Sequence, residues 1–284
     1  MKKIALAVCH LYKDKSPCDD ILANALKNHG YSVTKEVWND PNTKWEYYDL
    51  VILRSACDYI DNVDSFLNWV SDVSTKTTLI NNEEVIKNNC NKLYLKKLEN
   101  KGISIIPTQI ADSLSDLIAV INNCNYDDIV IKHTLGAKGL RTYHFKKDQI
   151  EQIYQTISDL PINKKTPILV QPYIHNVKEN GEISAMYFDG VYSFAVKRKP
   201  ITDDITLSVK EEEELYNPSY DEIEFCNQVM SVYEFAPVYA KIDYVNDNGK
   251  LLLVKTGFIE PNLYFHVSPS HVEDFIKAIK KYLT

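Results

Sequence analysis

The chain predicts an α+β fold opened by a small α/β unit, and three observations carry that prediction. Up to Ile80, short apolar runs alternate with helix signals, the pattern of a parallel sheet with crossover helices. After Pro107 strands follow one another through tight turns instead, at Asp189-Gly190 and at Asn246-Asp247-Asn248-Gly249. The composition, 45% hydrophobic and 25% charged over 284 residues, suits a globular chain of about two domains.

Residues 3–8, Lys-Ile-Ala-Leu-Ala-Val, read as a buried strand. Ser16-Pro17 starts a helix, with Ser as N-cap, Pro at the first helical position and Asp19 in the first turn; Gly30 ends it. Strands follow at 31–38 and 49–54, then a helix over 66–73 and a strand at 77–80. From Asn88 one helix is expected to run through Leu93, Leu95 and Leu98 to Gly102. Strands at 128–132 and 141–145 flank the loop 134–140. A helix at 149–159 and a strand at 168–171 precede the two hairpins. Val272–Leu283 closes as an amphipathic helix, with Val272, Phe275, Ile276 and Ile279 on one stripe.

Lys plus Arg is 32 against 39 Asp plus Glu, a net charge of −7, which argues against a large phosphate-backbone-binding surface. No apolar stretch approaches membrane-spanning length, and the start reads as a first strand rather than a signal peptide. The six cysteines include no C-x-x-C pair, so they predict reduced thiols in a cytoplasmic protein. Neither G-x-G-x-x-G nor a Walker-type loop is present. The histidines at 10, 29, 144, 175, 266 and 271 have no ligand spacing.

Lys132 ends a strand directly before a loop holding Gly136 and Gly139, an arrangement that suits polyphosphate: loop N–H groups approach oxygens while an ammonium neutralises charge. Lys92 lies where the chain enters this part. From the residues alone, both also read as solvated surface lysines, the usual case for any single lysine. Asp243, inside a β-rich segment, and the pair Glu260 and Asn262 offer hard oxygen ligands for Mg²⁺. A water-facing hairpin acid and a Pro-Asn turn explain the same residues.

Longer motifs give a resemblance. Val37-Trp38-Asn39-Asp40-Pro41, Leu53-Arg54-Ser55-Ala56-Cys57-Asp58-Tyr59, Asn89-Cys90-Asn91-Lys92-Leu93-Tyr94-Leu95, Ile129–Lys132, Gln171-Pro172-Tyr173-Ile174, Gly181-Glu182-Ile183-Ser184 and the run 192–200 occur in order along nearly the whole chain. Together they resemble the ATP-grasp superfamily, in the branch of the cycloserine-forming cyclo-ligase and glutathione-synthetase-like enzymes. The resemblance implies an N-terminal domain over 1–90 and an ATP-grasp domain over 91–284, with a lid at about 108–172 and a C-terminal subdomain at about 173–284. It implies ATP and Mg²⁺ as cofactors, and ADP-forming joining of a carboxylate to an amine through an acyl phosphate. In that frame Lys92 and Lys132, with Gly136 and Gly139, hold phosphates; Gln171 and Ile174 hold adenine through hinge backbone groups; Glu182 serves the ribose or substrate side. Ser184 is a substrate contact, and Arg198, Lys197 and Lys199 are catalytic candidates. Arg54, Asp58 and Tyr59 follow a parallel strand, where ligands bind open α/β sheets, and are further candidate substrate contacts. The implied partner is a small amino-acid-like molecule, with a homodimer admitted and neither nucleic acid nor membrane.

The departures from that branch concentrate at the metal. Its two acidic ligands before "I-E-P" stand here as Lys255 and Gly257, and its "D-F-R" as Asp204-Ile205-Thr206, followed by the acidic run 211–214. A Lys255 ammonium paired with Asp243 would hold the site's charge without Mg²⁺. That arrangement describes a second reading, a catalytically silent relative that binds nucleotide, ligand or partner.

Overall fold

The computed structural model describes residues 1–136, 141–158, 160–200 and 211–283. Strands β1 (Lys3–Val8), β2 (Ser32–Val37), β3 (Leu50–Leu53) and β4 (Thr78–Ile80) form a parallel sheet of order β2-β1-β3-β4. Helix α1 (Pro17–Asn28) is capped by Ser16, whose Oγ accepts from the Asp19 N–H. Helix α2 spans Val63–Lys76 and is longer than its apolar stripe predicts, because Asn62 caps it through the Ser65 N–H. Alternation along β1 sends Ile4 and Leu6 to the side of α1, and Ala5 and Ala7 toward Phe66, Val70 and Val73 of α2.

The helix expected over 88–102 starts later, as α4 (Tyr94–Asn100), and a separate helix, α3 (Glu83–Asn89), ends just before it. Tertiary contacts override propensity at the break. The Asn89 side chain donates to Thr256 and accepts from the Phe258 N–H, and the chain then turns so that the Lys92 N–H meets the Thr134 carbonyl at 3.0 Å.

A second sheet joins β5 (Gln109–Ala111), β6 (Asp128–His133), β7 (Thr142–Lys146) and β8 (Ile168–Pro172) in the antiparallel order β5-β8-β6-β7. Helices α5 (Leu114–Asn123) and α6 (Ile150–Ile157) cover one face, over Ile129, Ile131, Ile168 and Val170. After the short α7 (Val177–Asn180), a third sheet contains β9 (Glu182–Phe188), β10 (Val191–Pro200), β11 (Glu211–Tyr216), β12 (Tyr239–Asp247) and β13 (Lys250–Gly257), ordered β11-β10-β9-β12-β13. Both predicted hairpin tips carry positive φ at two successive residues, Asp189-Gly190 and Asn248-Gly249. Helix α8 (Tyr220–Ser231) and α5 are helices beyond those the sequence predicts; α8 begins with a complete Ser219/Glu222 capping box. Helix α9 (Val272–Ile279) returns to pack Phe275, Ile276 and Ile279 into the core shared with α1 and β1.

Asn81, fully buried, joins the first and third sheets: its amide donates to the Tyr239 and Phe258 carbonyls and accepts from the Val238 N–H. All six cysteines are free and buried. Among the described residues no helix is long and apolar enough to cross a membrane.

Candidate functional site

The third sheet has two unlike faces. Ile183, Ala185, Tyr187, Ala195, Ala240 and Ile242 pack with α8, while Met186, Phe188, Phe194, Val196 and Tyr239 pack on the N-terminal unit. Along the second face the strands change from apolar to charged. Register places Asp243 opposite both Ser184 and Lys255, and Arg198 opposite Glu182. Opposed residues share a face, so these side chains gather there.

Asp243 is fully buried. Ser184 Oγ donates to its Oδ1 at 2.5 Å; Lys241 Nζ and Lys255 Nζ lie 3.0 and 3.4 Å from its Oδ2, and Arg198 3.8 Å from Oδ1. Burial alone would raise the carboxyl pKa, but the Lys241, Lys255 and Arg198 charges outweigh it and hold Asp243 well below the carboxylate range. Arg198 also donates Nε to Ser184 Oγ at 3.1 Å and pairs with Glu182.

The second sheet contributes Lys132. Its neighbour Ile131 faces the helices, so Lys132 lies on the opposite face with Gln171 and Leu169. Lys132 is partly exposed yet walled in by protein; burial lowers its pKa to about 8, with Lys255 adding to the fall and Glu182 opposing it. Lys92, in the break between α3 and α4, falls to about 7 through burial and the nearby Lys255 and Lys132. Its ammonium donates to the Gly136, His133 and Thr134 carbonyls at 2.7, 3.2 and 3.4 Å. The His133 ring, buried between Leu135 and the Pro161 carbonyl, pins the entry to this loop. Gly139 lies outside the described residues, as does Asp204-Ile205-Thr206.

Other predicted residues are placed elsewhere or already engaged. Lys197 and Lys199 cannot act beside Arg198, because strand alternation sends them to the other face; Lys197 meets Glu214 at 3.4 Å and the Tyr216 ring. The acidic run is an edge strand, with Glu214, Glu213 and Glu212 in register with Lys197, Arg198 and Lys199. Asn262 Oδ1 accepts the Tyr264 N–H rather than standing open as a ligand, and Glu260 acts electrostatically on Lys92 and Tyr59. Arg54 is buried; its Nε donates to Asp19 at 3.0 Å and its Nη2 to the Pro261 carbonyl at 3.1 Å, while Nη1 has no hydrogen-bond partner. Asp58 accepts from the Trp38 indole at 2.6 Å, and Tyr59 is buried against Phe66. Ser184 is spent between Asp243 and Arg198. Gln171 donates Nε2 to Thr108 Oγ1 at 2.8 Å and leaves Oε1 buried without a partner; Ile174 packs with Ile106, Val245 and Val254.

Two residues absent from the predictions matter. Lys241 stands two positions before Asp243, a spacing that puts both on one face of a strand. Asp19, read as a first-turn acid, is the buried counter-charge of Arg54.

Comparison with known proteins identifies the fold. The crystal structure of the D-cycloserine synthetase DcsG superposes with a TM-score of 0.86 at 21% identity, covering 99% of this chain and 100% of that one. The RimK domain protein ATP-grasp from Sphaerobacter thermophilus gives a TM-score of 0.72 at 12% identity, over 99% of each chain. The chain has the ATP-grasp fold. Residues 4–81 match the family model of the D-cycloserine synthetase DcsG N-terminal domain. The cycloserine biosynthesis protein DcsG of Streptomyces lavendulae is 27% identical over 173 residues, which span 58% of this chain and 58% of that protein.

An ATP-grasp fold implies Mg²⁺ beside ATP, and the residues at Asp243 do not fit one. Mg²⁺ demands a near-octahedral oxygen shell at about 2.0–2.1 Å. Asp243 Oδ1 already accepts from Ser184; Oδ2 is buried without a hydrogen bond, but the Lys241 and Lys255 ammonium groups at 3.0 and 3.4 Å would repel a dication there by several kcal/mol even at an effective dielectric of about 20. Among the described residues, no three carboxylate, imidazole or thiol side chains converge to hold a metal ion.

Proposed function

We propose that the chain is an ATP-dependent, ADP-forming carboxylate–amine ligase acting on a small amino-acid-like substrate. The observation that carries this reading is Lys92 and Lys132, close enough to act on one another in a chain with the ATP-grasp fold, both with depressed pKa values and neither in a salt bridge among the described residues. Buried lysines without a bridging carboxylate suit an anionic ligand, and the ATP-grasp resemblance implies the phosphates of ATP as that ligand. In this reading residues 1–90 form the N-terminal domain, 108–172 the lid and 173–284 the C-terminal subdomain of the 91–284 ATP-grasp domain.

Gln171 Oε1, buried without a donor, is suited to accept from the exocyclic amine of adenine. Arg54 Nη1, likewise unpartnered, is the candidate anchor for a substrate carboxylate. The reaction proceeds in two steps. A substrate carboxylate oxygen attacks the γ-phosphorus and ADP departs; an amine nitrogen then attacks the acyl carbon, phosphate leaves, and the amine gives up a proton. Lys92, Lys132 and Arg198 offset charge on the transferring group.

The sealed surroundings of Asp243 favour a second reading, nucleotide binding without phosphoryl transfer. Incubating the chain with ATP and a panel of amino acids and amines, while following ADP and the amide product by mass spectrometry, separates the two. Amide and ADP in equal amounts are expected. ATP binding with no ADP from any pair would leave the second reading standing.

A further inference from the structure

We infer that the phosphate end of this cleft binds a polyphosphate chain without a divalent cation, the fixed positive charge coming from Lys255 and Lys241 anchored on Asp243. The inference rests on the nucleotide reading above and concerns the same site.

Five cations, Lys92, Lys132, Lys241, Lys255 and Arg198, act on or beside three carboxylates, Glu182, Asp243 and Glu260. Among the described residues, basic groups therefore outnumber carboxylates here before any metal enters, and a bound anion would draw Lys92 and Lys132 into their charged forms. The two ammonium groups on Asp243 differ in access: the Lys241 side chain is 7% exposed and that of Lys255 34%, so Lys255 is the one that reaches the cleft. An ammonium carries three donors, so Lys255 can keep one on Asp243 and offer others to phosphate oxygens.

The fold holds Lys255 in place. Its neighbour Thr256 is tied on the far side of β13 by Asn89, Tyr94 and Tyr233. Gly257, in register with Lys241, brings no side chain; a Cβ there would stand 3.4 Å from Pro261 Cβ and 3.7 Å from Lys241 Cβ. Among the described residues no cluster of metal-ligating side chains forms, and Lys255 and Gly257 stand where the resemblance implies two acidic ligands. Exchanging Lys255 for Glu changes the local charge by two, the charge of one Mg²⁺.

The test is calorimetric titration of the full chain with ATP and, separately, with inorganic tripolyphosphate, each in excess EDTA and in excess Mg²⁺. Wild type is expected to bind ATP with affinities within about threefold in the two conditions. Lys255→Glu is expected to lose about tenfold or more in EDTA and to regain affinity in Mg²⁺, and Lys255→Met to lose in both. Wild type alone decides the matter if either variant fails to fold. Binding of ATP only with Mg²⁺ overturns the inference and leaves the nucleotide reading intact. Binding of tripolyphosphate but not ATP, in EDTA, supports the inference and overturns the nucleotide reading. Binding of neither anion overturns both.

Discussion

Nucleotide binding at this cleft should be coupled to proton uptake. In the free protein Lys92 titrates at about 7 and Lys132 at about 8, both lowered first by burial and then by neighbouring ammonium groups. At pH 8 this leaves Lys92 about one-tenth protonated and Lys132 about half. A polyphosphate laid against both restores the charged forms, so each binding event should take up more than one proton at pH 8, with the contribution of the two lysines shrinking as pH falls below 7. The assay is calorimetry in two buffers of different ionisation enthalpy, where the slope of observed heat against that enthalpy counts protons. Lys92→Met should remove most of one proton from the count. The same shifts act on stability. Between pH 7 and the ordinary lysine value of 10.5, the unfolded chain holds protons the folded chain has released. These two lysines therefore make the ligand-free protein more stable as pH rises through that window. Heat that does not depend on buffer at pH 8 would refute the reasoning, since it would mean that neither lysine meets the phosphates.

Two structural predictions follow from the joints that hold the cleft. Asn81→Ala orphans the Tyr239 and Phe258 carbonyls and the Val238 N–H, all buried, and should cost about 3 kcal/mol or more in urea unfolding; a loss under about 1 kcal/mol would show that water replaces the amide. Arg54→Met leaves Asp19 charged and buried, and should destabilise by about 3–5 kcal/mol, with part of the loss recovered in the double variant carrying Asp19→Leu; no recovery would mean that the pair is not the source of the loss.

Much of the N-terminal unit is legible in the sequence because parallel strands buried on both faces read as unbroken apolar runs, such as Ile4–Val8 and Leu50–Leu53. The hairpin tips are legible because two successive positive φ values select Asp-Gly and Asn-Gly. What the sequence hides is decided across distance. The break between α3 and α4 depends on Asn89 finding β13, 167 residues away, which no local propensity encodes. The acidic run 211–214 reads as a loose charged stretch until Lys197, Arg198 and Lys199 stand beside it. At the site, Lys132 and Gln171 are placed by simple strand parity, and the same parity separates Lys197 and Lys199 from Arg198 and joins Lys241 to Asp243. The salt bridge of Arg54 and Asp19 needed two elements brought together, so each residue alone suggests a different role.

The most direct test of the nucleotide cleft is thermal unfolding of the full chain with saturating ATP, for wild type beside Lys132→Met. Ligand at about 100 times its dissociation constant adds roughly 2.7 kcal/mol, a rise in Tm of about 5 °C for a chain of this size. The cleft described here predicts that rise for wild type and its loss in Lys132→Met. No rise in wild type, or the same rise in both proteins, would contradict it.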